Sequence, residues 1–402
     1  MSTSTGHKIG LATATIIGMN AMIGSGIFTA PAALASNVGP AGILAYIFVA
    51  TAIWFMADSF ARLAKLFPEE GTFYTYAKQW GGHITGMIAI TCYFIGLVVG
   101  MGLLTRVSGN YIADLFPSIP GTVFSMLVLT ILMIINAFGI GLSKLGQHIL
   151  IVLTVLPILT ISAICFSQAH TSNLTPFAPY GFTNVMAATS KVIFGFFGFE
   201  CAASLYNIVK NAEKNVPRAL TYAIVLVSMF YIIFIFSILL AAPQALLNVP
   251  DQPITDIIRV VFPGHNVLIN ILHISILSAI IGTVHSMIWS SSHLLLSLID
   301  KIKNPRLHNL RTKGILNAKT SVIIIGLLMG VAFLTLQNVN LFFYITALSI
   351  VFAYLLSMIT LLIRKSEWKS GNNIKTLIGF STALTIFYFA AQGLATELFK
   401  LF

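Results

Sequence analysis

Charge is the scarcest commodity in this sequence: only 8% of its 402 residues are Asp, Glu, Lys or Arg. Soluble domains carry about a quarter of their residues as charges, so the groups that keep a globular surface in water are largely missing. Cysteine is scarce too. Cys92, Cys165 and Cys201 each sit inside an apolar run, which excludes a disulfide framework or a zinc cluster. Acid is scarcer than base, 11 residues against 22, for a net charge of +11. In a soluble chain that surplus would point to a polyanion, but without a polar surface to carry it a nucleic-acid partner is excluded. There is no low-complexity tract and no linker long enough to join two soluble domains. Neither an HExxH motif nor a nucleophile elbow occurs, so no enzyme and no cofactor are expected.

Apolar residues fill the space instead, at 57% of the chain, with a mean hydropathy of +0.93. This is an all-α polytopic membrane protein; an outer-membrane barrel would show alternating ten-residue segments instead. Windows of about 19 residues place eleven spans. They lie near 10–35, 41–66, 84–112, 121–141, 147–167, 186–208, 219–242, 267–299, 318–337, 341–363 and 375–398. The short polar start, Met1 to Lys8, runs into this series without the pattern of a cleaved signal peptide. With the N-terminus in the cytoplasm, only Arg106, Lys191, Arg259 and Lys400 fall outside, and the other eighteen of the 22 basic residues fall inside. That is the positive-inside asymmetry of a multi-pass inner-membrane protein. The segments 68–82 and 301–319 are then cytoplasmic, while 168–183, 243–265 and the C-terminus face outward.

Two spans carry material that weakens a helix at mid-membrane. The first reads IIGMNAMIGSGIFTAPAAL, with Gly24, Ser25 and Gly26 at its middle; the sixth reads FGFFGFECAAS, with Gly195, Gly198 and Glu200. One small-residue cluster is ordinarily a helix-packing face. Two at corresponding positions, separated by five spans and therefore running oppositely, mark an inverted repeat whose broken helices expose half-helix ends at a midplane site. Backbone amides at Ser25, Gly26 and Ile27 suit a carboxylate, helped by the half-helix dipole, and carbonyls from Phe194 through Gly195 and Phe196 to Phe197 suit an ammonium. Together these match the head group of an α-amino acid. Phe194, Phe196, Phe197 and Tyr93 could shape a side-chain pocket or gate, although with 30 Phe in the chain any one of them is by default core or lipid-facing.

Glu200 is the outstanding ionisable group, since a carboxylate at the bilayer centre costs several kcal/mol unless paired, hydrated or protonated. It either titrates in coupling or bonds unwound amides of the first helix and holds the break together. Asp58 and Arg62, four apart near the cytoplasmic end of the second span, read as a structural or gating pair. Lys191 and Arg106 lie near outer helix ends, where they can snorkel. His273, His285 and His293 share one helix at separations of 12 and 8, or roughly 120° and 80° of rotation, so they do not form a metal site. Ser290, Ser291 and Ser292 could complete a sodium site beside an unwound first helix, though interhelical hydrogen bonding is their commoner use.

IGSGIF at 23–28, ARLAKLFPEEGTFYTYA at 61–77, GFFGFECA at 195–202 and VKNAEKNVPRAL at 209–220 resemble the signatures of the amino acid/polyamine/organocation permeases. The likeness runs from residue 8 to about 320, and within the family it is nearest to the bacterial basic amino acid and polyamine antiporters, including the arginine/agmatine exchanger. The resemblance implies a five-plus-five inverted repeat of the leucine-transporter type, alternating access, and an amino acid bound between the first and sixth helices. It divides the chain into a tail at 1–9, a first repeat at 10–167, an external loop at 168–183, a second repeat at 184–364 and an added helix at 365–402. By motif, Ile23, Gly24, Ser25 and Gly26 would receive the substrate carboxylate and the carbonyls at 194–197 its amino group. Glu200 takes the acidic place of the GFES-like motif, and Phe194 stands where the arginine/agmatine exchanger has a gating tryptophan. Three departures matter: Gly71 and Thr72 replace a pair of glycines, there are eleven spans rather than twelve, and the fifth span lacks the lysine that some proton-coupled members carry.

The expectation is a secondary transporter of an amino acid or related amine, working as an antiporter or proton-linked carrier, with a homodimer allowed by the resemblance. Sodium-coupled symport and polyamine exchange are the alternatives within transport. Polyamines are disfavoured because only Asp58 and Glu200 could meet their distal amines. A transport-dead sensor should carry a signalling domain and a channel should carry charge rings or a filter loop, and neither feature is present.

Overall fold

The computed structural model describes residues 8–24, 26–28, 34, 38–68, 72–138, 144–201, 209–247, 254–302, 304–336, 338–364, 366, 368 and 371–400. Among these residues every regular element is helical, apart from an isolated bridge between Ile9 and Val209. The principal helices are α1 (Leu11–Met22), α2 (Gly42–Leu66), α3 (Thr72–Ala113), α4 (Gly121–Ala137), α5 (Lys144–Ser167) and α6 (Phe182–Val192). They continue with α7 (Ala212–Ala241), α8 (Asn266–Lys301), α9 (Ala318–Thr335), α10 (Val339–Leu362) and α11 (Asn372–Phe399). Eight described helices are long and apolar enough to cross a membrane, α1 and α4 being shorter apolar ones. Nine of the expected spans coincide with one helix each, while α1 and α6 cover only part of the first and sixth. The far ends of the first and sixth spans, at 29–33, 35–37 and 202–208, lie outside the described residues.

The outward surface has the character of a bilayer solvent. On α5, Leu145, Ile149, Val152 and Leu156 recur at helical spacing and are 69%, 49%, 55% and 61% exposed. That is the reverse of a water-soluble amphipathic helix, whose apolar stripe turns inward. Inside, the helices pair: α10 lies along α3, α5 along α8, and α2 along α7, with α1 against α7 and α5. A knot of rings, Phe60, Phe73, Tyr93, Phe199 and Tyr354, fills the middle, with Phe73 stacked on Tyr93 at 4.2 Å and Phe60 edge-on to Tyr354 at 5.2 Å. Such aromatic pairs add about 0.5–1.5 kcal/mol each beyond simple burial.

Three element boundaries differ from the hydropathy reading. α3 starts at Thr72, well before residue 84, because the polar stretch 72–81 is itself helical and joins the span through a kink at Gly82 (φ 73°, ψ −166°), a conformation that glycine adopts without strain. α7 starts at Ala212 rather than at 219, following Asn211 in the left-handed region. The connection 243–265 contains a short amphipathic helix, Ile254–Val261, whose Ile254, Ile257 and Ile258 are buried while Val260 is exposed. Hydropathy windows average over such short or charged segments and therefore miss them. Local capping explains other boundaries: Asn317 and Thr320 form a reciprocal capping box at the start of α9, and the Asn338 side chain accepts from the Asn340 amide at the start of α10.

Candidate functional site

The first helix loses regularity after Met22. Ile23 takes φ −77° and ψ 88°, the Gly24 amide bonds back to the Met22 carbonyl at 2.9 Å, and helical geometry resumes at 26–28. Ser25 lies outside the described residues. In the sixth helix, α6 tightens into a 3₁₀ turn at Ile193–Phe196, Phe197 becomes extended, and Gly198 takes φ +107°. The two breaks touch. A side-chain carbon on Gly26 would sit 2.7 Å from Gly195 Cα and 3.1 Å from its nitrogen, so backbone meets backbone here, and the glycine at position 26 permits it. One on Gly198 would press on the Ala21 carbonyl.

Freed backbone groups in a membrane must find partners inside the protein. Tyr231 on α7 supplies one: its hydroxyl donates to the Gly195 carbonyl at 2.8 Å, with the Met22 carbonyl at 3.2 Å, so one phenol bridges both breaks. Thr283 on α8 supplies another, its hydroxyl lying 2.9 Å from the Asn20 carbonyl and 3.1 Å from that of Ile23. Asn20 in turn donates to the Gln147 carbonyl and side-chain oxygen on α5 at 2.9 and 2.6 Å. Among the sequence candidates, Gly195 therefore spends its carbonyl on Tyr231, and Ile23 spends its own on Thr283.

Glu200 stands at the C-terminal end of the second break, 6% exposed. Tyr93 on α3 donates to Oε1 at 3.0 Å, Tyr354 on α10 donates to Oε2 at 2.7 Å, and the Gly198 amide donates to Oε2 at 3.1 Å. Charge-assisted bonds of this kind are worth about 1.5–3 kcal/mol each, so three of them offset much of the cost of burying the carboxylate. The carboxylate thus bonds its own break, together with α3 and α10. Tyr93, read as a pocket aromatic, is a donor to this carboxylate.

A cavity of about 20 Å³, room for a water or so, lies where the breaks meet. Gly24, Gly26, Phe194, Phe197, Gly198 and Glu200 contribute to its wall. Tyr93 and Thr346 reach it from α3 and α10, and the Thr346 hydroxyl is buried without a hydrogen-bond partner. Phe194 packs edge-on against Phe343 at 5.0 Å and Phe197 at 6.4 Å. Ile27 and Phe196 are fully buried in the core beside the breaks rather than in that wall. Sequence reasoning missed Tyr231, Thr283, Thr346 and Tyr354, because a single Tyr or Thr in an apolar span carries no local signal.

The remaining candidates lie elsewhere. Asp58 and Arg62 pair at 3.0 Å, and Arg62 also donates to Thr376 on α11 at 2.8 Å while Lys375 lies 3.7 Å from Asp58. This is a clamp between α2 and α11. Lys191 does not snorkel: it is 8% exposed, with its ammonium 5.7 Å from the Tyr344 ring centre. Arg106 donates to the Leu336 carbonyl at 3.0 Å. Ser291 and Ser292 donate to carbonyls of their own helix, Met287 and Trp289, rather than toward the first break.

Two touching helix breaks inside a bundle of apolar helices define a multi-pass membrane protein. Its fold is shared with MhsT, solved in complex with L-phenylalanine, at a TM-score of 0.61 over 97% of this chain and 98% of that one, with 13% identity. This is the leucine-transporter type of architecture. The amino acid permease family matches residues 9–398, so the chain belongs to that family. It is 26% identical to the branched-chain amino acid permease BcaP of Bacillus subtilis over 56% of this chain, and that match spans 53% of BcaP's own length. It is 25% identical to the aromatic amino acid transport protein AroP of Escherichia coli over 72% of this chain and 66% of AroP. The stretch shared with these curated relatives thus spans between half and two thirds of their length.

Proposed function

We propose that this protein transports an amino acid across the bacterial inner membrane by alternating access, as an antiporter or proton-linked carrier, with its N-terminus in the cytoplasm. The observation that carries the reading is the contact of Gly26 with Gly195, which places both helix breaks around one cavity. Half-helix amides at Ser25, Gly26 and Ile27 receive the substrate carboxylate, and carbonyls of the sixth helix receive its ammonium once the breaks part. At about 20 Å³ the cavity is too small for an amino acid, so substrate entry requires helices one and six to separate.

The wall argues for an uncharged side chain. Apart from Glu200, which three donors already hold, the wall contains no described acid, and Met101, Leu104 and Ile350 are apolar. Asp58, the other acid that might meet a distal amine, is engaged by Arg62 and Lys375. The names of BcaP and AroP, a branched-chain permease and an aromatic amino acid carrier, point the same way. Sodium coupling is the second reading. It loses support because Ser291 and Ser292 turn to their own helix while Thr283 occupies the carbonyls of the first break.

Uptake of labelled amino acids and polyamines into sodium-free proteoliposomes, empty or preloaded with the same compound, tests this. Leucine- or phenylalanine-class substrates should enter, whereas arginine and agmatine should not compete. Dependence on internal substrate identifies an exchanger, and entry into empty vesicles identifies net, proton-linked transport. Uptake of polyamines alone would overturn the substrate assignment, and a requirement for sodium would overturn the coupling.

A further inference from the structure

A second ionisable cluster lies away from the central cavity, where α3 and α8 end beneath the short helix Ile254–Val261. His273 on α8 is 2% exposed, and both of its ring nitrogens face oxygen acceptors. Nδ1 lies 2.9 Å from the Ile269 carbonyl, one turn back on the same helix, and a carbonyl can only accept, so Nδ1 carries hydrogen. Nε2 is buried without a hydrogen-bond partner and lies 3.8 Å from Oδ2 of Asp114, just beyond the end of α3. A neutral ring with its hydrogen on Nδ1 turns a lone pair toward that carboxylate. One added proton turns two opposed acceptors into an ion pair, and histidine is the side chain that ordinarily gains and loses that proton between about pH 5 and 8.

The same cluster reaches the short helix. The Tyr111 and His273 rings meet at 5.8 Å and 80°, and the first turn of that helix, at Ile254, lies within reach of the Tyr111 hydroxyl. Asp256 and Arg259 of the short helix, paired with each other, both bear on Asp114. Burial pushes the Asp114 carboxyl up, while His273 beside it pulls it down, Asp256 pushes it up and Arg259 pulls it down. Among the described residues, the other ionisable groups on the packed elements are directed elsewhere. Arg106 is directed to Leu336, exposed His265 stays on Pro263, and α1 and α4 hold no charged residue or histidine. Lys144, His148 and Lys319 lie at the opposite ends of α5 and α9, and Asp251 lies outside the described residues.

We propose that His273 and Asp114 form a proton-binding site at the outer ends of α3 and α8, whose occupancy latches the helix Ile254–Val261 onto the bundle. With the proton bound, the imidazolium is held between Ile269 and Asp114, the Tyr111 ring is fixed, and the first turn of the short helix keeps its partner. When the proton leaves, lone pair and carboxylate repel, Asp114 turns toward Arg259, and the helix loses that tie. That the latch controls access to the central cavity rests on the transport reading; the site itself does not.

The test therefore uses substrate-free full-length protein in lipid nanodiscs. Nitrogen NMR of isotope-labelled histidine, with the His273 signals assigned by their loss in His273→Gln, should show both ring nitrogens protonated at about pH 6 and one bare at about pH 8.5. Asp114→Asn, which keeps shape and removes charge, should abolish the doubly protonated signal. Amide hydrogen exchange over 254–261, corrected for intrinsic rates, should be about five-fold slower at the lower pH in the parent and equal at both in His273→Gln. A ring that is neutral throughout, or a doubly protonated signal that survives Asp114→Asn, overturns the site. A short helix whose exchange in the parent ignores pH overturns the latch.

Discussion

Glu200 carries the most consequential single charge in the molecule, and its setting narrows what it can do. A carboxylate holding two phenol hydroxyls and an amide ties α3 and α10 to the second helix break, so a change in its charge reaches three elements at once. Glu200→Gln should leave the protein folded and flatten the pH dependence of uptake; an unchanged profile assigns Glu200 a structural role alone. Tyr354→Phe removes one charge-assisted bond and should cost about 1.5–3 kcal/mol in the parent but clearly less on the Glu200→Gln background. Thermal unfolding of the four proteins measures that coupling. Glu200 was legible in the sequence because an acid amid apolar residues has few innocent explanations. Tyr354, Tyr231 and Thr283 were not, since each acts on a group far away in the chain and hydroxyls in apolar helices ordinarily bond their own backbone.

At the scale of elements, the glycines at 24, 26, 195 and 198 announced where regular helix gives way, and the described backbone turns aside at 23–24 and 197–198. What composition could not reveal is that the two breaks touch. Gly26 reads from sequence as an open binding amide, yet its α-carbon also lies against Gly195, so it serves helix packing as well. Gly26→Ala should therefore lower the unfolding temperature as well as weaken substrate binding, with an overpacking cost of about 1–3 kcal/mol because backbone rather than a flexible side chain must yield. Thermal melts with and without substrate separate the two effects; an alanine variant as stable as the parent would mean that the breaks are not held together. Serines 290–292 mark the opposite case. Their clustering suggested a shared ligand, but Ser291 and Ser292 each satisfy a carbonyl within their own helix.

For the whole molecule, the eleventh helix is attached as well as counted. Arg62 reaches Thr376 while Lys375 reaches Asp58, so a charged cross-tie fastens α11 to α2 at one end. Asn338 donates to Glu397 at 2.8 Å near the other end, where α10 begins. Arg62→Leu should loosen this attachment by about 1–2 kcal/mol, the loss being limited because Lys375 still faces Asp58. A lowered unfolding temperature with retained substrate binding is the expected result. Orientation is tested by labelling single cysteines with a membrane-impermeant maleimide in intact cells. Tyr180→Cys, at a site 46% exposed, should react from outside, and Leu310→Cys, at a site 36% exposed, only after lysis.

Residue chemistry read along the chain was enough to establish a multi-pass membrane protein, two weak points and a buried acid, because water, lipid and backbone geometry act on each segment locally. The folded arrangement alone decided that the weak points meet, that Tyr231 and Thr283 absorb their freed carbonyls, that two tyrosines hold Glu200, and that Asp58 and Arg62 serve the last helix. Those outcomes depend on which helices become neighbours. In a chain with 30 Phe and 57% apolar residues, almost every face is greasy enough to be buried or lipid-facing. Hydrophobic pattern therefore does not choose among partners, and shape and hydrogen bonding between distant residues do.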